Sequence, residues 1–105
     1  MNQMNQRPAL DRSPAPPAFT EKQGQYLAFI WAYAQIGGRS PSERDLQHHF
    51  RVSPPSVHQM ILTLERSGLI RRQPGVARSI ELAVDPKILP VLLATQPVKI
   101  TVQRY

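Results

Sequence analysis

The chain has no cysteine, which excludes disulfide crosslinks, thiolate metal ligands and cysteine nucleophiles together. Its fold must therefore rest on packing, and 105 residues suffice for one core that needs neither metal nor crosslink. Acidic residues are scarce: seven Asp and Glu stand against thirteen Lys and Arg, a formal charge of +6. That balance favours a polyanionic partner or an anionic surface. No stretch is apolar for long enough to cross a bilayer, and MNQMNQRPALDRSPAPP lacks the apolar centre of a secretory signal, so a soluble cytoplasmic protein is expected. There is no nucleophile with a matched base, no carboxylate pair in an apolar setting and no glycine-rich phosphate loop. The residues thus point to no enzyme, cofactor or small-molecule substrate.

What charge there is lies concentrated. Between Arg39 and Arg78 stand seven arginines (39, 44, 51, 66, 71, 72, 78) against Glu43, Asp45 and Glu65. Arginine is the side chain best suited to bidentate contact with phosphate and guanine. Residues 1–18 combine Asn, Gln and Ser with Pro8, Pro14, Pro16 and Pro17 and carry too little apolar surface to offset the entropy of ordering. They read as a disordered N-terminal arm, in which Arg7 and Arg12 either reach a DNA groove or simply remain solvated.

Thr20 followed by Gln23 has capping-box spacing and starts a helix expected to run to about Gln35. At 100° per residue, Leu27, Ile30, Trp31 and Ala34 form its core stripe, while Tyr26, Phe29 and Tyr33 form a second apolar side. That second side requires cover from the C-terminal segment or from another subunit. Gly37 and Gly38 end the helix. Ser42 with Asp45 starts a second, short helix whose buried edge is Leu46 and Phe50. After a break at Arg51-Val52-Ser53, Pro54 and Pro55 mark a third helix that runs to about Ser67, with Pro54 itself biased out of it by the proline that follows.

Beyond Gly68, Leu69-Ile70-Arg71-Arg72 and Arg78-Ser79-Ile80-Glu81-Leu82 flank a Pro74-Gly75 turn and predict a hairpin. The remainder is apolar for a tail and is cut by Pro90 and Pro97; a helical turn near 86–93 and an extended stretch near 98–104 are expected. The organisation is therefore an arm (1–18), a domain of three helices and a wing (19–84), and an apolar extension (85–105) that offers a dimerisation surface.

Helix, helix, short turn, helix and hairpin is the order of a winged helix-turn-helix, mainly α with a small β-hairpin. The segments FTEKQGQYLAFI, GGRSPSERDLQHHF, VSPPSVHQMILTLERSGLIRR and GVARSIEL also resemble the DNA-binding domain of the LexA repressor family, in unbroken order over about residues 19–83. The resemblance implies a DNA-binding transcriptional regulator, a repressor acting on double-stranded DNA. Members carry a second domain in which a serine and a lysine cut the chain; about twenty residues follow the wing here, so self-cleavage is not expected. The family's base-contacting turns correspond to Ser53, Pro55, Ser56, His58 and Gln59. Pro55 has no donor and departs from that pattern, so a different operator is expected.

Helix geometry gives a second view of the reading face. With Val57 set at 0°, Met60, Ile61 and Leu64 fall within about 60° of it and form the core side. Pro55, Gln59, Leu62, Thr63 and Arg66 lie opposite, flanked by Ser56 and His58. Ser56, His58, Gln59 and Thr63 are accordingly the candidate base contacts, Gln59 foremost because its amide matches the N6 and N7 edge of adenine. Ser40, Ser42, Ser53, Arg66, Arg72 and Arg78 are the candidate backbone contacts, with Arg78 at the wing tip and the serines at helix starts. Simple capping is the competing role for Ser42. Adjacent His48 and His49 lie about 100° apart on a helix and do not share an ion, so no metal site is expected; His49 reads as a half-buried edge and His48 as surface. One small module makes few base contacts, so a homodimer on a pseudo-palindrome is expected. The alternative from the residues alone is a winged-helix protein-interaction module in which the arginines meet acidic protein.

Overall fold

The structure, a computed structural model, describes residues 18–93. The arm expected at 1–18, but for its last residue, and the extended stretch expected at 98–104 lie outside the described residues. Three helices, α1 (Glu21–Gly37), α2 (Glu43–Phe50) and α3 (Pro54–Arg66), precede an antiparallel pair, β1 (Ile70–Arg71) and β2 (Glu81–Leu82), and a 3-10 turn at Pro86–Ile88. Short-range chemistry sets each boundary. At the start of α1 the Gln23 N–H donates to Thr20 Oγ1 (3.0 Å) and the Thr20 N–H donates to Gln23 Oε1 (2.9 Å). Ser42 and Asp45 repeat the reciprocal pair at α2, with distances of 2.8 and 3.1 Å.

Pro54 is the first helical residue of α3 rather than lying outside it. Both prolines sit where the backbone N–H would lack an intrahelical acceptor, so the helix loses no hydrogen bond by including them. Its far end closes with two bonds, Gly68 N–H to Glu65 O (3.0 Å) and Leu69 N–H to Leu64 O (2.9 Å). Gly68 adopts the left-handed φ of 75° that this closure needs, and Leu69 and Leu64 are both buried across it.

The core is built from Tyr26, Leu27 and Ile30 of α1, Leu46 of α2, Val57, Ile61 and Leu64 of α3, and Leu69, Ile70 and Ile80 around the hairpin. Here the two apolar sides of α1 differ from their expected roles. Trp31 is 40% exposed and Ala34 half-buried, whereas Tyr26 is 1% exposed and stacks on Phe50 of α2 at 4.2 Å between ring centroids. The aromatic side is covered by α2, where Phe29 also meets His49 and Phe50. The Trp31 side is covered in part by the C-terminal segment: Pro86, Leu89, Pro90, Val91 and Leu92 share a cleft of about 200 Å³ with Ala28, Trp31 and Ala32. The Gln25 carboxamide fastens this segment, accepting from the Leu93 N–H (2.8 Å) and donating to Val91 O (2.9 Å).

The ladder is short, with Ile70 opposite Leu82 and Arg71 opposite Glu81. The expected second strand from Arg78 begins only at Glu81, because Arg78 takes a left-handed φ of 57° that no strand accommodates. Ser79 closes the wing loop instead. Its Oγ accepts from the Gln73 N–H at 2.9 Å and lies within 3.1 Å of the carbonyls of Gln73 and Val76.

Candidate nucleic-acid interface

Because Val57, Ile61 and Leu64 turn into the core, the periodicity of α3 leaves Pro55, Ser56, His58, Gln59 and Arg66 exposed on its other side. Gln59 makes no protein hydrogen bond through its side chain among the described residues and opens onto a groove of about 500 Å³ shared with Thr20, Lys22, Gln23, Pro55, Ser56, Met60 and Thr63. Its amide is available to an external partner. Thr63 is half-buried and its hydroxyl donates to the Gln59 carbonyl four residues back (2.9 Å), so it points along its own helix. Arg66 Nη2 lies 3.5 Å from that same hydroxyl.

The remaining expected contacts are engaged to different degrees. Ser53 caps α3, accepting from the Ser56 N–H (3.3 Å), and its hydroxyl also meets that of Ser56 at 3.0 Å. Ser42 caps α2, and Ser40 offers its carbonyl to Arg78. His58 on α3 faces Glu43 on α2, with Nδ1 3.3 Å from each carboxylate oxygen. Arg72 folds back onto Glu65, its Nε donating at 3.0 Å, while Arg71 on the opposite face lies 3.7 Å from Glu81. His48 is exposed, and His49 is half-buried against Phe29 with its basicity lowered by burial.

Arg78 is the most constrained of these groups. One nitrogen, Nη1, donates to Tyr33 Oη (3.3 Å), the Ser40 carbonyl (3.0 Å) and Asp45 Oδ2 (3.0 Å). Its Nη2 and Nε make no hydrogen bond among the described residues. Burial alone would raise the Asp45 carboxyl, but the Ser42 amide and hydroxyl, the Tyr33 hydroxyl and the Arg78 charge outweigh it and hold the group below its ordinary value.

Electrostatically, the carboxylates of Glu43, Asp45, Glu65 and Glu81 are each matched by a basic partner. Lys22, Arg39, Arg44, Arg51 and Arg66 have no carboxylate within ion-pair distance among the described residues. Their charge is left uncompensated within the described part of the chain. Lys22, Tyr33 and Glu43 were not legible as site residues in the sequence. Glu43 read only as one of the few acids among the arginines, with nothing to show a partner on α3, and Tyr33 read only as part of an aromatic side of α1.

Three helices closed by a short antiparallel wing, with the third helix presenting a polar outer face, define a winged-helix DNA-binding domain. Comparison with known proteins makes this particular: residues 17–79 match the LexA DNA binding domain, and the chain belongs to that family. It is similar to the LexA repressor of Thermosipho africanus, 40% identical over 72 residues that make up 69% of this chain and 36% of that protein. Against the LexA repressor of Thermosipho melanesiensis the identity is 46% over 63 residues, 60% of this chain and 32% of that protein. The LexA repressor of Verrucomicrobium spinosum is 38% identical over 71 residues, 67% of this chain and 34% of that protein. The chain thus spans about a third of the length of the relatives it matches. The matched part is the DNA-binding domain, which is not catalytic. Among the described residues no helix is long and apolar enough to cross a membrane.

Proposed function

We propose that this chain binds double-stranded DNA in a sequence-dependent way and acts as a transcriptional regulator, a repressor that occludes its site. In this reading α3 lies in the major groove and the wing follows the adjacent backbone. The observation that carries it is the outer face of α3, where Gln59 is exposed with no side-chain partner among the described residues, flanked by Ser56 and His58 and bordered by unpaired basic side chains. Gln59 makes the central base contact, Ser56 and His58 read neighbouring edges, and Thr63 contributes its methyl group. Ser40, Ser42, Ser53, Arg66, Arg72 and Arg78 bind the backbone, joined by Lys22 from the start of α1. The repressor role draws its support from the relatives, each of which is a LexA repressor. Two copies act together as a homodimer on a pseudo-palindrome, because one short reading helix touches too few bases for high specificity.

Titrating a fluorescent duplex at several salt concentrations tests the polyanion contact. Affinity falls with salt at a log-log slope of roughly −0.9 per phosphate neutralised. A protein-interaction role predicts instead no duplex binding and no such slope.

A further inference from the structure

Three elements distant in sequence meet at one guanidinium. Tyr33 comes from the end of α1, Asp45 from the first turn of α2, and Arg78 from the wing loop. Asp45 Oδ2 accepts both the Ser42 N–H that starts α2 (2.8 Å) and Arg78 Nη1 (3.0 Å). The Tyr33 hydroxyl approaches the same nitrogen, and the tyrosine ring centroid lies 5.9 Å from the guanidinium carbon. Arg78 also keeps a left-handed backbone that non-glycine residues rarely adopt. The base of the wing is held by Leu69, Ile70 and Ile80 in the core, and its loop is tied to α1 and α2 through this side chain.

We infer that Tyr33 and Asp45 are positioning residues for DNA binding, acting through Arg78; this rests on the proposed contact between Arg78 and phosphate. A guanidinium is planar, so fixing Nη1 also fixes the directions of Nε and Nη2. Nη1 ties the wing loop to the helices, and Nε and Nη2, which make no hydrogen bond among the described residues, are left for a phosphate. The side chain is ordered before DNA arrives, which removes an entropic cost from binding.

Asp45 gives the inference a sign that simple electrostatics does not. Removing a carboxylate near a polyanion should strengthen binding if charge were all that mattered. Here Asp45→Asn, which keeps an oxygen for the Ser42 N–H but no longer holds Arg78 with a charge, weakens it.

The test compares the full chain with Arg78→Ala, Tyr33→Phe, Asp45→Asn and the double variant Tyr33→Phe/Arg78→Ala, each first shown by circular dichroism to melt cooperatively. Duplex affinity is measured against salt. Arg78→Ala should lower the magnitude of the slope by about 0.9, the loss of one phosphate contact. Tyr33→Phe and Asp45→Asn, which remove no positive charge, should weaken binding several-fold and shift the slope in the same direction. The double variant should bind as Arg78→Ala does. If Arg78→Ala flattens the slope while both partner variants keep the original affinity and slope, the inference is overturned and the phosphate contact stands. An unchanged slope in Arg78→Ala overturns the phosphate contact, and the inference with it.

Discussion

Nδ1 of His58 on α3 lies 3.3 Å from both carboxylate oxygens of Glu43 on α2. The pair spans the two helices of the helix-turn-helix on the surface that also exposes Gln59. Its side chains are 50% and 33% exposed, so solvent screens their attraction and the bond adds little to stability. Its consequence is orientation: the imidazole is held toward α2.

Glu43→Gln should therefore leave folding within about 1 kcal/mol of the parent in a urea titration. The same variant should alter base preference where His58 faces the groove, as read from binding to a panel of single-base operator variants. An unchanged preference profile would show that Glu43 does not orient His58 for reading.

His49 gives a pH dependence. Burial against Phe29 holds its imidazole below 6.5, so the fold accommodates the neutral ring. As pH falls, the unfolded chain takes up the proton first. This contribution is full above the unfolded value, about 6.5, and is lost as pH falls toward the lower folded value, below which it is level. Asp45, also lowered, acts in a separate window: its stabilisation is present above about 3.8 and disappears as pH drops through its folded value. Urea midpoints measured in acid steps should show the first loss vanish in His49→Phe. Retention of the same loss in that variant would assign it elsewhere.

Gly24 reverses an ordinary helix rule. Alanine in place of a helical glycine usually stabilises by about 1 kcal/mol. A Cβ at Gly24 would lie 2.9 Å from the Phe19 ring and 3.0 Å from Pro90 of the C-terminal segment packed on α1. Gly24→Ala should therefore be destabilising, by about 1–3 kcal/mol as overpacking usually is. A gain in the urea midpoint would mean that the segment yields without cost.

The parts of this molecule legible in its sequence are those settled over three or four residues. The boxes at Thr20 and Ser42, the Ser53 cap and the Gly68 closure are local exchanges of hydrogen bonds, and the residue types that make them are few. The core side of α3 was equally plain, because Val57, Ile61 and Leu64 repeat at helical spacing between polar neighbours. On α1 both sides are apolar, and periodicity does not tell which side meets the other helices. Tyr26 went inward because Phe50 of α2 offered a stacking partner, and Trp31 was left to the C-terminal segment. The wing was hidden for a related reason. Alternation suggested a strand from Arg78, but Tyr33, 45 residues earlier, and Asp45, 33 residues earlier, hold that arginine in a turn. Thr63 illustrates the same limit on a small scale: its wheel position faces outward, while its hydroxyl is spent on the carbonyl of Gln59.

The central claim is that the exposed face of α3 reads DNA, and selection of bound duplexes from a random library tests it most directly. The parent chain should enrich one recurring motif, as two half-sites whose centres lie about 10–10.5 base pairs apart or a multiple of that. Gln59→Ala should enrich the same motif with preference relaxed at one base pair of each half-site, a loss of about 1–3 kcal/mol of discrimination there. Failure of the parent to enrich any motif, or an identical motif from both proteins, would contradict the account.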